Sequence, residues 1–158
     1  MCSSDLLLRA DATDPALGYV GRVERVNVAL LAQLLGGGWM PVVSPLSADG
    51  ANAGEALNVN GDDAAAAIAV ATSAAELLLV ADVDGVIGAQ GTVLDVLDVE
   101  SARGLIASGT ASHGMAAKLE AAHAALAGGV PSVRITPLAG ILDGDAGTTV
   151  TLAASLAA

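Results

Sequence analysis

The chain reads as an α/β fold on a mainly parallel sheet, and three features of its 158 residues predict this. Helix-period stretches alternate with short strand-like stretches, the order that gives parallel sheets covered by helices. One strand-like stretch, Leu77-Leu78-Leu79-Val80, is continuously apolar, as a strand buried on both faces requires. It runs directly into the polar turn Asp82-Val83-Asp84-Gly85-Val86, and open α/β sheets bind ligands at such carboxyl ends of strands.

Taken in order, Val23, Val26, Leu30, Leu31, Leu34 and Leu35 recur at helical spacing, and Gly36-Gly37-Gly38 stops that helix. Met40-Pro41-Val42-Val43-Ser44 predicts a short buried strand. Residues 47–55, rich in Asp, Gly and Asn, predict a turn, with Ala56-Leu57-Asn58-Val59-Asn60 as the second strand of a hairpin. Gly61-Asp62-Asp63 opens an alanine-rich helix to about Ser73, its carboxylates where the helix dipole favours them. After the apolar strand at 76–81, expected at the centre of the sheet, come helices near 100–107 and 114–127. A strand follows at Ser132-Val133-Arg134-Ile135, and Gly147-Thr148-Thr149-Val150 begins the last one. No internal repeat is evident, and no linker is long enough to divide the chain, so one domain is expected.

Composition narrows the function. The hydrophobic fraction is 54% and mean hydropathy is positive, but the excess is alanine and no apolar run reaches the length that spans a bilayer. Trp39 and Tyr19 stand alone and phenylalanine is absent, which predicts an aliphatic core. A net charge of −11 argues against nucleic-acid binding, which needs a basic patch. It still permits a nucleotide, since a few local donors hold phosphates in an acidic protein. The single Cys2 rules out an internal disulfide and a cysteine metal site. With no recognisable targeting segment, a cytoplasmic location is expected. Met1-Cys2-Ser3-Ser4-Asp5-Leu6 matches one reading frame of a common sequencing adapter, so residues 1–6 are expected to be adapter-derived and residues 7–158 to carry the native part.

Lys118 is the only lysine, the other cations being Arg9, Arg22, Arg25, Arg103 and Arg134. Lysine is a compact point charge suited to phosphate oxygens, though a solvated lysine on a helix face is the plainer alternative. Upstream, Gly109-Thr110-Ala111-Ser112-His113-Gly114 has the glycine spacing of a P-loop. Met115 follows where Lys-Ser or Lys-Thr must stand, so that motif is excluded. A small-residue loop entering a helix remains, and its amides can approach a phosphate while Lys118 reaches from the side. Asn58-Val59-Asn60-Gly61-Asp62 places two carboxamides and a carboxylate where a strand meets a helix. Either they orient a substrate and a cation, or Asn60 or Asp62 caps the helix. His113 and His123 have no metal-ligand spacing with a carboxylate, and no Gly-x-Ser-x-Gly occurs, so no resident metal or serine nucleophile is expected.

Read in order, Leu17-Gly18-Tyr19-Val20-Gly21, Asn58-Val59-Asn60-Gly61-Asp62, Asp82-Val83-Asp84-Gly85-Val86, Gly114-Met115-Ala116-Ala117-Lys118 and Gly147-Thr148-Thr149-Val150 form a series. Each is weak alone; the order and spacing resemble the amino acid kinase family, and within it the branch acting on N-acetylglutamate. The resemblance runs from about Leu7 to Val150. It implies an αβα sandwich of the carbamate kinase-like type, here only its C-terminal, nucleotide-binding half. The implied reaction is ATP-dependent phosphorylation of the side-chain carboxylate of N-acetyl-L-glutamate, in arginine biosynthesis, with Mg²⁺ entering as the ATP complex.

By the same resemblance, Lys118 would stabilise the transferring phosphoryl group and Asp62 would hold the phosphoryl-transfer lysines. Asn58 and Asn60 would bind the acyl amino acid. Asp82, Val83, Asp84, Gly85, Val86 and Ile87, with Thr110, Ala111, Ser112, Gly114 and Met115, would line the nucleotide site. The family's Gly-rich loop with its own lysine, its second Gly-Gly turn and a substrate-binding arginine would all lie upstream of Leu7. The fragment alone is therefore expected to be inactive, and the parent enzyme to be a homo-oligomer. Two departures stand out: His113 replaces the first of a usual glycine pair, and Gly61 replaces a usual alanine. A sister kinase acting on carrier-linked aminoadipate or glutamate, and a non-catalytic nucleotide-binding domain, remain alternatives.

Overall fold

In the computed structural model, which describes residues 7–52 and 54–152, the chain opens with strand β1 (Leu8–Ala12). Leu8 and Ala10 point into the core and Arg9 and Asp11 outward, the alternation of a half-buried strand. Asp14 caps a single 3₁₀ turn at Pro15–Leu17, accepting from the Ala16 N–H at 2.9 Å, and Gly18 leaves that turn at φ +68°. Strand β2 (Gly21–Val26) returns antiparallel to β1, with a register shift between Arg9 and Ala10. Residues 1–6 lie outside the described residues, and so does their expected origin.

Val23 and Val26 therefore belong to a strand and not to the helix that their spacing suggested. Pairing with β1 takes their backbone groups, and the helix starts only where Asn27 accepts from the Leu30 N–H at 3.1 Å. That helix, α1 (Val28–Gly36), ends at Gly37 and Gly38, the latter at φ +79°. The strand expected at 40–44 is also absent: the segment is irregular, with Met40 88% and Val42 96% exposed. Strand β3 falls instead at Leu46–Asp49, parallel to β1, and β4 (Ala56–Asn58) pairs antiparallel with it. The hairpin is present with its first strand shifted into the stretch read as turn. Asp49 makes that possible: its carboxylate accepts from the Ala51 N–H and the Asn52 side chain and closes the bend.

Helix α2 (Gly61–Ala71) completes the first compact unit, Met1–Thr72, and packs on β2. Its sheet runs β2-β1-β3-β4 over an aliphatic core of Leu8, Ala10, Leu57, Val59 and Ala64, with Val23, Val26, Val43 and Ile68 packed against it.

The second unit, Ser73–Ala158, contains β5 (Leu77–Ala81), β6 (Val96–Asp98), α3 (Val99–Ala107), α4 (His113–Ala127), β7 (Val133–Pro137) and β8 (Thr148–Thr151). Its sheet runs β5-β7-β8-β6, so the apolar run expected at the centre lies at an end. The inner strand β7 is the more polar Val-Arg-Ile-Thr, buried because Arg134 and Thr136 find acceptors of their own. Helix α4 covers this sheet with Ala121, Ala122 and Ala125, all fully buried, and their small side chains let the helix come close to β5, β7 and β8.

The chain thus forms two compact units, each with its own four-stranded sheet. The α/β class holds, but pairing is mixed. β1 with β3, β5 with β7 and β6 with β8 run parallel; β1 with β2, β3 with β4 and β7 with β8 run antiparallel. The tight β1–β2 and β3–β4 connections impose that, since a short connection joins only antiparallel neighbours. Among the described residues no helix is long and apolar enough to cross a membrane.

Candidate functional site

Strand β5 delivers the chain to a bend at Asp82, Val83 and Asp84 and then to Gly85, where a Cβ would lie 2.7 Å from the Thr148 hydroxyl. Only glycine fits so close an approach. From the other side, α3 ends at Ser108, Gly109 turns at φ +75°, and the buried Ala111 donates its N–H to the Leu105 carbonyl at 2.9 Å. Ser112 is the N-cap residue of α4 and makes no side-chain cap bond there.

These two segments enclose a cavity of about 420 Å³, within the ~300–1,000 Å³ of small-molecule sites. Ala81, Asp82, Val83, Gly85, Val86 and Ile87 line one side; Thr110, Ala111, Ser112, Gly114, Met115 and Lys118 line the other. Lys118 sits one turn past Gly114 on the same helix face, half-buried, and helical side chains lean toward the N-terminus, here toward the cavity. The cavity therefore meets a helix N-terminus and a lysine together. Both favour an anion.

Of the residues singled out for a nucleotide, Asp84 alone stays outside the lining and is exposed. Ala81 joins the lining unanticipated. His113 does not line the cavity; it is exposed at φ +49° with its Nδ1 3.1 Å from the Ser112 hydroxyl. The left-handed backbone there suits glycine and puts the His113 backbone under modest strain.

In the first unit, Asn58 ends β4, its N–H bonded to the Tyr19 carbonyl at 2.8 Å, which assigns the Leu17–Gly21 stretch a task in fixing that strand end. Asn60 caps α2, its side-chain oxygen accepting from the N–H groups of Asp62 at 2.8 Å and Asp63 at 3.2 Å. Asp62 lies in the first turn of α2, beside its positive end. Gly61 opens that helix with open space where a Cβ would be, so alanine would fit equally well. Among the described residues no group of three or more His, Cys, Asp or Glu side chains could hold a metal ion.

Sequence reasoning missed two residues that shape the site from behind. Buried Thr148 bonds the turn after β5, and buried Arg134 donates to the carbonyls of Gly140, Asp143 and Ala146, ordering the segment that leads into β8. Gly147-Thr148 stood out as a motif; nothing in the sequence signalled Arg134.

The family model described as amino acid kinase family matches residues 1–137. An acetylglutamate kinase of Rubrobacter xylanophilus is 52% identical over 118 residues, covering 75% of this chain and 45% of its own length. Among solved structures, smu.665 of Streptococcus mutans superposes with a TM-score of 0.83 at 31% identity, over 93% of this chain and 57% of that one. A carbamate kinase of Giardia lamblia, 18% identical with a TM-score of 0.65 over 83% of this chain and 45% of its own, shares the fold. The chain spans about half the length of the curated relatives it matches. With its fold, its cavity and a model match over most of its length, the chain belongs to the amino acid kinase family.

Proposed function

We propose that this chain is the nucleotide-binding part of a kinase that transfers the γ-phosphoryl group of ATP to the side-chain carboxylate of N-acetyl-L-glutamate, giving N-acetyl-glutamyl 5-phosphate and ADP. One observation carries the reading: the cavity at the carboxyl end of β5 is closed by the N-terminus of α4 and by Lys118. The names of the relatives, at 46–52% identity, support the substrate.

In this reading a carboxylate oxygen forms a bond to the γ-phosphorus as the bond to the β,γ-bridging oxygen breaks and ADP leaves. Such a transfer requires positioning and charge neutralisation more than covalent help. The amides at the start of α4 and the Lys118 ammonium supply positive charge on the cavity side. Asp62, in the first turn of α2, stands where the family resemblance implies a carboxylate serving phosphoryl transfer. Asn58 contacts the acyl amino acid; Asn60, its oxygen engaged in capping α2, contributes only its amide NH₂. The cavity lining holds a single carboxylate, Asp82, which fits Mg²⁺ carried in by the phosphates rather than a metal caged by protein. Bound there, Mg²⁺ would neutralise phosphate charge. A cytoplasmic, homo-oligomeric parent enzyme belongs to the same proposal.

Calorimetric titration of the 158-residue chain with ATP tests the site, and a coupled ADP-release assay on the full-length gene product tests the reaction. Lys118→Ala is expected to lower kcat by about 10²–10³-fold in the full-length protein. The isolated chain is expected to bind ATP without turnover. No ATP binding by the chain, or turnover only with a carrier-linked aminoadipate or glutamate, overturns the reading.

A further inference from the structure

Gly147-Thr148-Thr149-Val150 takes no part in the proposed reaction, and Thr148, the first of its two threonines, is fully buried. The Thr148 hydroxyl accepts from the Val86 N–H at 2.8 Å and donates its own proton to the Leu94 carbonyl at 2.6 Å. Val86 and Leu94 are also joined directly, the Leu94 N–H donating to the Val86 carbonyl at 2.9 Å. Beyond them Ile87 and Val93 form an antiparallel bridge, and the Gly88 N–H donates to the Thr92 carbonyl at 2.9 Å. Residues 86–94 are therefore a short hairpin, and one hydroxyl holds both limbs at its base.

Only the first limb reaches the cavity: Val86 and Ile87, with Gly85 before them, line it, and Thr148 does not. We propose that Thr148 is the positioning residue of this site, setting the height of the turn after β5 against the bound nucleotide. The proposal rests on the nucleotide reading of the cavity.

The rest of the motif makes the hydroxyl a fixed reference point. Its strand β8 is paired on both sides, Ile135 opposite Thr148 in β7 and Val96 opposite Thr149 in β6. Gly147 sits at φ +95°, where a Cβ would run into the Ile135 carbonyl and Thr136, so β8 starts hard against β7 only because that Cβ is missing. Gly85 lets the turn approach from the other side, since a Cβ there would meet the same hydroxyl. Glycine at 85 thus leaves room for the hydroxyl that ties Val86 to Leu94, and glycine at 147 leaves room for β7.

Thr148→Val keeps the shape and removes both hydrogen bonds, leaving the Val86 N–H buried without its acceptor, while Thr148→Ser keeps the hydroxyl. Two readouts are taken on the 158-residue chain: ATP affinity by calorimetry and amide hydrogen exchange residue by residue. The valine variant is expected to bind ATP roughly fivefold more weakly, the effect of one ordinary hydrogen bond. Its Val86 amide should exchange faster while the amides of β7 keep their protection. Serine should restore both readouts to within about twofold. A purely structural role would loosen β7 as well. Unchanged ATP affinity in the valine variant, or a Val86 amide still protected, overturns the proposal. Should the unsubstituted chain not bind ATP, the nucleotide reading fails by itself. Exchange at Val86 then decides alone whether Thr148 holds the turn: faster exchange supports it and unchanged exchange overturns it. If the valine variant does not fold, Thr148→Ala takes its place, removing the hydroxyl without setting a methyl against the Val86 amide.

Discussion

Replacing Arg134 by methionine is expected to destabilise the second unit by about 3 kcal/mol, within a range of roughly 2 to 5. The magnitude follows from what the guanidinium holds. Arg134 is 5% exposed on the inner strand β7, and its Nη1 donates to the carbonyls of Gly140 at 3.2 Å and Ala146 at 3.0 Å, and to that of Asp143. The Gly140 acceptor is buried and would lose its partner outright, about 1–3 kcal/mol. Asp143 and Ala146 are less enclosed, and water can partly replace the arginine at their carbonyls, so each costs nearer 1 kcal/mol. The Glu76 carboxylate contributes little, being 41% exposed and 3.5 Å from Nε.

Urea unfolding followed by circular dichroism reads this directly. With a slope of about 1–3 kcal/mol/M, the methionine variant should lose about 1–3 M of its midpoint. Arg134→Lys should lose a large part of the same amount, because one ammonium cannot serve the acceptors as the planar fork does. Glu76→Ala should stay within about 0.5 kcal/mol of the unsubstituted chain. A methionine variant as stable as the parent would refute the reasoning. So would a Glu76→Ala loss equal to that of the methionine variant, which would place the energy in the ion pair.

Asn60→Ala removes the cap of α2 and should cost about 1 kcal/mol, a fall in Tm of about 2–4 °C, while Asn60→Asp, which keeps an accepting oxygen, should stay close to the parent by calorimetry. Gly147→Ala should fail to fold stably or lose several degrees of Tm, since its φ of +95° and its contact with β7 both exclude a Cβ; an unchanged Tm would count against that packing. Asp98 caps α3, and hydrogen bonds from the Ser101 hydroxyl and N–H hold its pKa below the usual carboxylate value. A depressed folded pKa contributes stability above the unfolded value of about 3.9, and that contribution is lost as pH falls through the folded pKa. Acid titration of stability should therefore show Asp98→Asn shallower than the parent in that window, and parallel curves would contradict the assignment.

The sequence determined the parts of this protein that depend on neighbours along the chain. The α2 helix from Gly61, the apolar strand ending at Ala81, the polar turn after it and the small-residue loop entering α4 were all legible, since capping, periodicity and turn chemistry act over a few residues. The cavity-lining segments were legible for the same reason: each is a turn at the end of a recognisable element. The tertiary structure alone decided what depends on partners distant in sequence. Pairing with β1 drew Val23 and Val26 out of a helical pattern into β2, because backbone hydrogen bonds outweigh a weak helical propensity of valine. Sheet order put the polar β7 inside and the apolar β5 at an end, and no local pattern carries that information. Arg134 looks ordinary in the sequence and Thr148 is one residue of a weak motif; both became supports of the site only when residues 6 to 62 positions away came within hydrogen-bond reach. Side-chain type is set locally, but the acceptor that makes a buried polar group useful is supplied by the fold.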